Sequence, residues 1–419
     1  MNQLLNASPK HPAGHAASPQ APAGRTLTLT RTLCALAATA AATAAGSTYA
    51  QSSVTLYGII DDGVNYTSNV QTSPGNGHQQ YEMLSGVLSG SRWGLRGNED
   101  LGGGFSALFV LENGFDVNGG KLGQGSLEFG RQAFVGVSTP YGTLTAGRQY
   151  DPMIDYVHPL TSGAMFAGNL GAHPGDLDNL NNTNRVNNSV KYQTANYAGF
   201  SAEGMYSFGG VPGSIGANQI YSIGAGYMHG PLNLGVAYLN AHNPNASFFG
   251  TAVGATAASN NLGSSPVING YASAQSEAVL TVGATYTIGA AMLNAVYANT
   301  RYNSLSGVVS VLNPAGLSGT ATFNSAELGL QYQLTPALSL AAAYTYTDGG
   351  TTSRATYQQG AVSADYVLSK RTDVYLLGVL QHASGVDSTG RAARAAINGL
   401  SPSSSNQQAT VRFAIRHKF

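Results

Sequence analysis

Thr410-Val411-Arg412-Phe413-Ala414-Ile415-Arg416-His417-Lys418-Phe419 ends the chain. Read by twos, as a strand presents its side chains, Val411, Phe413, Ile415 and Phe419 share one face, while Arg412, Arg416 and Lys418 share the other. A strand of this kind left unpaired at the rim of a soluble sheet is an aggregation-prone edge. A barrel that closes its last strand on its first has no edge. It can show apolar residues to lipid and charged ones to a water-filled interior. The tail therefore predicts a transmembrane β-barrel, with Val54–Tyr66 as the closing partner.

The chain has 419 residues, and the first 50 do not read as fold. Arg25 and Arg31 precede an Ala-rich run from Leu33 to Ala45, and small residues lead to Thr48-Tyr49-Ala50 before Gln51. A positive flank, a short apolar core and small residues at the cut describe a secretory signal peptide. The run is too short for a helical span, which needs about 20 residues. Residues 1–24 make the leader overlong. A start codon placed too far upstream and a genuine long leader both account for it. The expected division is a signal peptide at 1–50 and a barrel at 51–419.

Loss of Lys10, Arg25 and Arg31 reduces the 19 basic residues to 16 against 19 acidic ones, a net charge of −3. That balance gives no electrostatic footprint for nucleic acid. The single cysteine, Cys34, leaves with the leader, so disulfides do not staple the mature chain. Charged residues make up 9% of the chain, far below the roughly 25% of soluble domains. Even so, no stretch after residue 50 offers 18 consecutive apolar residues, the usual mark of a helical span. Instead 54 glycines and 23 tyrosines fill the composition, which suits strands between two solvents with tyrosines at the water–lipid boundary.

Alternating segments recur along the chain. In 54–66, Val54, Leu56, Gly58, Ile60 and Val64 oppose Thr55, Tyr57, Asp61 and Asn65. In 91–98, Trp93 and Leu95 oppose Arg92, Gly94, Arg96 and Asn98. Segments at 105–112, 128–138, 142–150, 185–195, 199–208, 219–229, 231–240, 277–287, 290–301, 322–334, 338–347, 354–368, 372–382 and 406–419 bring the count to 16. An even number lets both termini sit on the same side. Tight turns at 99–104, 139–141, 196–198, Gly230-Pro231, Gly289, 335–337 and 369–371 alternate with long polar stretches such as 67–88, 241–276, 303–321 and 383–405. Short turns on one side and long loops on the other are the pattern of outer-membrane barrels. A soluble sandwich needs no such asymmetry. The longest loop, 151–184, carries Asp151, Asp155, Asp176, Asp178, His158 and His173. Folded inward, a loop of this length sets the narrowest point of a wide aqueous lumen.

Five stretches resemble the Gram-negative general porins, of a betaproteobacterial type: 53–58 (SVTLYG), 91–104 (SRWGLRGNEDLGGG), 109–112 (FVLE), 131–136 (RQAFVG) and 142–149 (GTLTAGRQ). The resemblance implies a 16-stranded antiparallel barrel and a water-filled channel for passive diffusion of small hydrophilic solutes and ions. It further implies a homotrimer set in the lipid bilayer and lipopolysaccharide of the outer membrane, and a third external loop folded into the pore. Basic wall residues are then expected to face acidic loop residues across the constriction. The wall candidates are Arg92, Arg131, Arg185 and Arg148, with Lys191 as a further one; the loop candidates are Asp151, Asp155, Asp176 and Asp178. Parity alone points Arg92 inward. Arg131 shares parity with Ala133, Val135 and Val137, so its inward placement rests on the resemblance. The plainer reading makes each arginine a solvated lumen group or a partner of Glu99 or Glu112, and each aspartate a turn cap. Phe419 resembles the terminal aromatic read by the barrel-assembly machinery.

Catalytic motifs are thin. Gly102-Gly103-Gly104 opens a strand and not a helix, against a phosphate loop. No Gly-x-Ser-x-Gly elbow occurs at a strand-to-helix turn, and His78, His158, His173, His229, His242, His382 and His417 lack metal-ligand spacing. The reading calls for no enzyme activity and no cofactor. A substrate-selective channel for a sugar or organic acid is the nearest alternative, ahead of a barrel enzyme or an adhesin.

Overall fold

The computed structural model describes residues 53–249, 256, 258–350, 352 and 354–419; the expected signal peptide lies outside the described residues. The strands in chain order are β1 (Ser53–Ser73), β2 (Asn76–Ser85), β3 (Arg92–Gly102), β4 (Phe105–Gly114), β5 (Gln132–Thr139), β6 (Gly142–Gln149), β7 (Val186–Thr194), β8 (Phe200–Ser207) and β9 (Ile220–His229). They continue as β10 (Leu232–His242), β11 (Ser276–Ile288), β12 (Ala291–Ser306), β13 (Ser318–Gln333), β14 (Leu338–Gly349), β15 (Thr356–Ser369), β16 (Thr372–Ser384) and β17 (Gln407–Lys418). From β3 onward each pairs antiparallel with the next, and β17 closes on β1.

β2 and β3 both lie along β1: β2 pairs with its later half through Asp62↔Ser85, and β3 with its first half through Ile59↔Arg92. They are two pieces of one wall strand interrupted at 86–91, so the barrel has sixteen staves. The expectation of a long loop at 67–88 is corrected here. β1 runs to Ser73 and turns tightly into β2. Apolar side chains are sparse from Thr67 to Gln80, so the alternation that marks a membrane strand fades there before Tyr81 and Met83 resume it on the outer face.

The seam follows the parity of the tail. Val411, Phe413 and Ile415 are exposed on the outside, whereas Thr410, Arg412 and Ala414 are buried within. Arg412 is 0% exposed. It donates to Asp61 Oδ1 at 3.0 Å, Asn65 Oδ1 at 2.7 Å, the Tyr375 hydroxyl at 2.8 Å and the Leu84 carbonyl at 2.9 Å. A buried charge persists only when paired and hydrogen-bonded in this way. Phe419 adds a reciprocal backbone pair with Gly58, each bond 3.0 Å.

Residues 150–185 fold into the barrel. Asp151 caps a short helix, Pro152–Tyr156, by accepting from the Met153 amide at 2.8 Å, and proline at the first helical turn needs no amide partner. Met153, Val157 and Leu160 then pack on Ile220, Ala237, Leu239, Val279 and Val296 of the inner wall. Glycine permits the approach: a Cβ on Gly235 would overlap the Tyr156 carbonyl.

Candidate functional site

The inward loop leaves a cavity of about 850 Å³ against the wall formed by β3 to β7. All four arginines expected on the basic wall, Arg92, Arg131, Arg148 and Arg185, line it, and Glu112 is the one carboxylate residue among its described lining residues. β4 presents Glu112 inward, where Arg131 Nε donates to Oε1 at 2.7 Å and Arg92 Nε stands 3.7 Å from Oε2. The hydroxyls of Tyr57 and Tyr150 donate to the same carboxylate at 3.0 and 3.2 Å. Arg131 also reaches the Tyr150 hydroxyl at 2.9 Å. One carboxylate thus fixes Arg131 by a charge-assisted hydrogen bond and attracts Arg92 across 3.7 Å.

Arg131 faces the lumen because it precedes β5, where the strand's alternation has not begun, while Val135 and Val137 on its parity are exposed outside. Arg148 shares parity with the outward Leu144, but lies beside the register shift between Gly147 and Gln149. Its guanidinium donates to the Gly130 carbonyl at 2.8 Å and to Asn187 Oδ1. Arg185 donates to the Thr183 carbonyl at 3.1 Å and lies over the Tyr150 ring at 5.8 Å, leaving its buried Nε without a hydrogen-bond partner. Burial, helped by Arg131, pulls its pKa down to about 10, so it remains charged at neutral pH. Lys191 stands away from this group, held by Asp155 at 2.5 Å and the Tyr150 carbonyl at 3.1 Å.

None of the four loop aspartates lines the cavity. Asp151 caps its helix, Asp155 turns to Lys191, Asp176 accepts the amides of Asn181 and Thr183 at 2.8 and 3.0 Å, and Asp178 bonds His173. The structure therefore does not set these acids opposite the arginines; the caps and turns of a compact loop take up their oxygens first. Burial raises Asp176 to about 7, assisted by Asp178. Burial opposes a charge on His173, but Asp178 and Glu327 overcome it and hold the pKa well above the ordinary value. Burial lowers His158, whose Nδ1 bonds the Leu180 carbonyl at 2.6 Å, so that imidazole is neutral and adds no charge to the cavity it lines.

Sequence reasoning missed Glu327 on β13. It accepts the Ser162 amide at 2.7 Å, the Ser162 hydroxyl at 2.5 Å and the Asn294 amide at 2.8 Å, and so ties the loop to the far wall. Its signal was an acidic residue at lumen parity within a membrane strand, a position that is usually functional.

A closed sixteen-staved barrel with apolar residues outside, and a charged lumen narrowed by its own loop, defines a membrane channel. The family model for Gram-negative porins matches residues 37–382. An outer membrane porin protein of Bordetella pertussis is 39% identical over 236 residues, covering 50% of this chain and 60% of that protein. Outer membrane porin protein 32 of Delftia acidovorans is 31% identical over 310 residues, 71% of this chain and 79% of that one. The fold matches that of the anion-selective porin from Comamonas acidovorans with a TM-score of 0.67 at 23% identity, over 88% of this chain and all of the other. An outer membrane protein of Vibrio cholerae, solved in a trimer form, matches with a TM-score of 0.59 at 15% identity over 88% of this chain and 99% of that one. The chain belongs to the Gram-negative porin family, an outer-membrane family of channels rather than of enzymes.

Proposed function

We propose that the protein is a general diffusion porin whose throat favours small hydrophilic anions. The observation that carries this reading is the charge around the 850 Å³ cavity: four arginines against Glu112, with His158 neutral. Three positive charges are left uncompensated where the path is narrow, and charged side chains around a constriction set the permeant sign. The net charge of the whole chain is a poor guide, since charges on outer loops beyond a Debye length of about 8 Å are screened at physiological salt. The anion selectivity of the Comamonas porin supports the reading, as the trimer form of the Vibrio protein supports a homotrimer. Planar-bilayer recordings then show conductance steps in groups of three; no steps at any protein concentration would overturn the proposal.

Arg92, Arg131, Arg148 and Arg185 make the basic side of the constriction, and Glu112 orients it. A second reading, a channel selective for small carboxylates, draws on the arginines that line the cavity, because guanidinium groups match carboxylate geometry. Saturable block of chloride current by an organic acid would favour that reading; additive currents would favour the general one. Phe419, at the seam beside Gly58, serves as the signal read by the assembly machinery in the lipopolysaccharide-bearing membrane. Phe419→Ala should lower the amount of assembled protein while surviving channels keep their conductance.

A further inference from the structure

The interruption of the second stave is larger than a bulge. Between the pairs Asp62↔Ser85 and Ile59↔Arg92, six residues (86–91) stand opposite two, Ile60 and Asp61. A regular ladder would place two residues there, so four are extra. They leave the sheet, and several of them line the same cavity as the arginines.

This excursion is tied down at both levels. Asp61 accepts the Ser89 amide on Oδ2 at 2.7 Å and the Gly86 amide on its carbonyl at 2.7 Å. The Ser91 hydroxyl donates to the same carbonyl at 3.1 Å. Arg412 clamps the other side of Asp61 and the Leu84 carbonyl, while Arg416 donates to the Ser89 hydroxyl at 3.0 Å. The inward loop lands on this platform. Its Asn169 amide donates to the Val87 carbonyl at 2.7 Å. Val87 and Leu88 join Phe166, Ala167 and Leu170 of the loop in one buried apolar cluster with Tyr375 and Leu377 of the wall. Gly168 sits at φ +58°, and a Cβ there would overlap the Val87 carbonyl.

We propose that the six-residue excursion at 86–91 is a latch that fixes the middle of the constriction loop, and that Arg412 is a positioning residue for the throat through its hold on Asp61. The loop is anchored near its start by the helix on the wall, at Ser162 by Glu327, and beyond its middle by Gln359 of β15, which donates to the Ala172 carbonyl at 3.0 Å. The latch supplies a further point, on the side where the arginines stand. Without it, residues 168–170 lose the backbone bond to Val87 and are held there only by side chains such as Asn398 on Asn169, so the distance between loop and arginine edge is set less firmly.

The inference rests on the channel reading, and its test separates the two. Deleting Val87–Gly90 removes an even number of residues, so the register and the inward–outward parity of β3 are preserved. In planar bilayers this variant should conduct more than wild type, with greater open-channel noise and a reversal potential shifted toward zero. Gly168→Val, which lies outside the barrel wall, should give the same three shifts and decides the matter if the deletion does not assemble. Adding it to the deletion should change nothing further, because both remove one contact. Arg412→Lys keeps the charge but reaches fewer of the four partners, and should raise noise in the channels that assemble, at some loss of heat stability. Wild-type steps with unchanged conductance, noise and reversal potential in assembled Gly168→Val protein would overturn the latch while leaving the porin reading intact. No steps from wild type would instead remove the porin reading.

Discussion

Arg412 and Arg92 both stand on the inward face of a membrane strand, and the barrel uses them in opposite ways. Arg412 is 0% exposed and spends its donors on Asp61, Asn65, Tyr375 and a backbone carbonyl. The Arg92 side chain keeps 24% of its surface open and meets Glu112 only at 3.7 Å. At the seam the charge is consumed by structure; at the throat it is left in contact with water, where it can act on a passing ion. Parity places a side chain inside the barrel but does not say which of these fates it meets. What decides is the supply of carboxylates: on the last strand Arg412 has Asp61 and Arg416 has Asp373, whereas four throat arginines share Glu112.

Mutations that exchange these fates break or sharpen the contrast. The largest effect is expected at the seam. Asp61→Ala strands a buried guanidinium, and breaking such a pair costs about 3–5 kcal/mol; the folded barrel should melt at lower denaturant concentration with little protein assembled. Asp61→Ala protein as stable as wild type would show that the seam charge is not consumed by pairing. Next comes charge reversal at the throat. Arg92→Glu should leave stability nearly unchanged and move the permeability ratio toward cations. A unit charge at 4 Å in water is worth about 1 kcal/mol, so reversal is expected to give on the order of tenfold. A smaller effect follows at the loop. Glu327→Gln weakens the charge-assisted bonds to Ser162, at a cost of about 1–2 kcal/mol, and should appear as open-channel noise without a change of selectivity.

The smallest effect is a pH dependence. Asp176 is raised by burial from its ordinary 3.8 to about 7, so the folded loop binds this proton more tightly than the unfolded chain does. Its contribution to loop stability is present below the ordinary value and is lost as pH rises through about 7. Open-channel noise should therefore increase from about pH 4 to about pH 7, and Asp176→Asn should flatten that rise. An unaltered profile in the variant would assign the dependence to another group.

Much of the wall was legible in the sequence. The alternation at 54–66 and 410–419 faces two different solvents, and that contrast survives in the exposed Phe413 beside the buried Arg412. Sixteen staves follow from the same signal. It failed at 67–80, where apolar side chains are too few to mark a face and only Tyr81 and Met83 further on restore the alternation. It failed also at Arg131, one residue before its strand begins, where only the family resemblance pointed inward. The site was half legible. Parity pointed Arg92 inward, and the other arginines were expected there from the family resemblance. The aspartates pointed elsewhere because a carboxylate in a compact loop takes the nearest backbone amides, as Asp151 and Asp176 do. Glu112 was named beforehand as a possible arginine partner, whereas Glu327, which ties the loop to the far wall, carried only its lumen parity as a signal.

The central claim is that uncompensated arginines, and not a balanced pair of charged walls, govern passage. The direct measurement is the zero-current potential of wild-type channels in a planar bilayer under a tenfold KCl gradient. A potential of the sign set by chloride movement, reduced by Arg92→Glu, is the predicted result. A cation-selective potential in the wild type, or one indifferent to that substitution, would contradict the account.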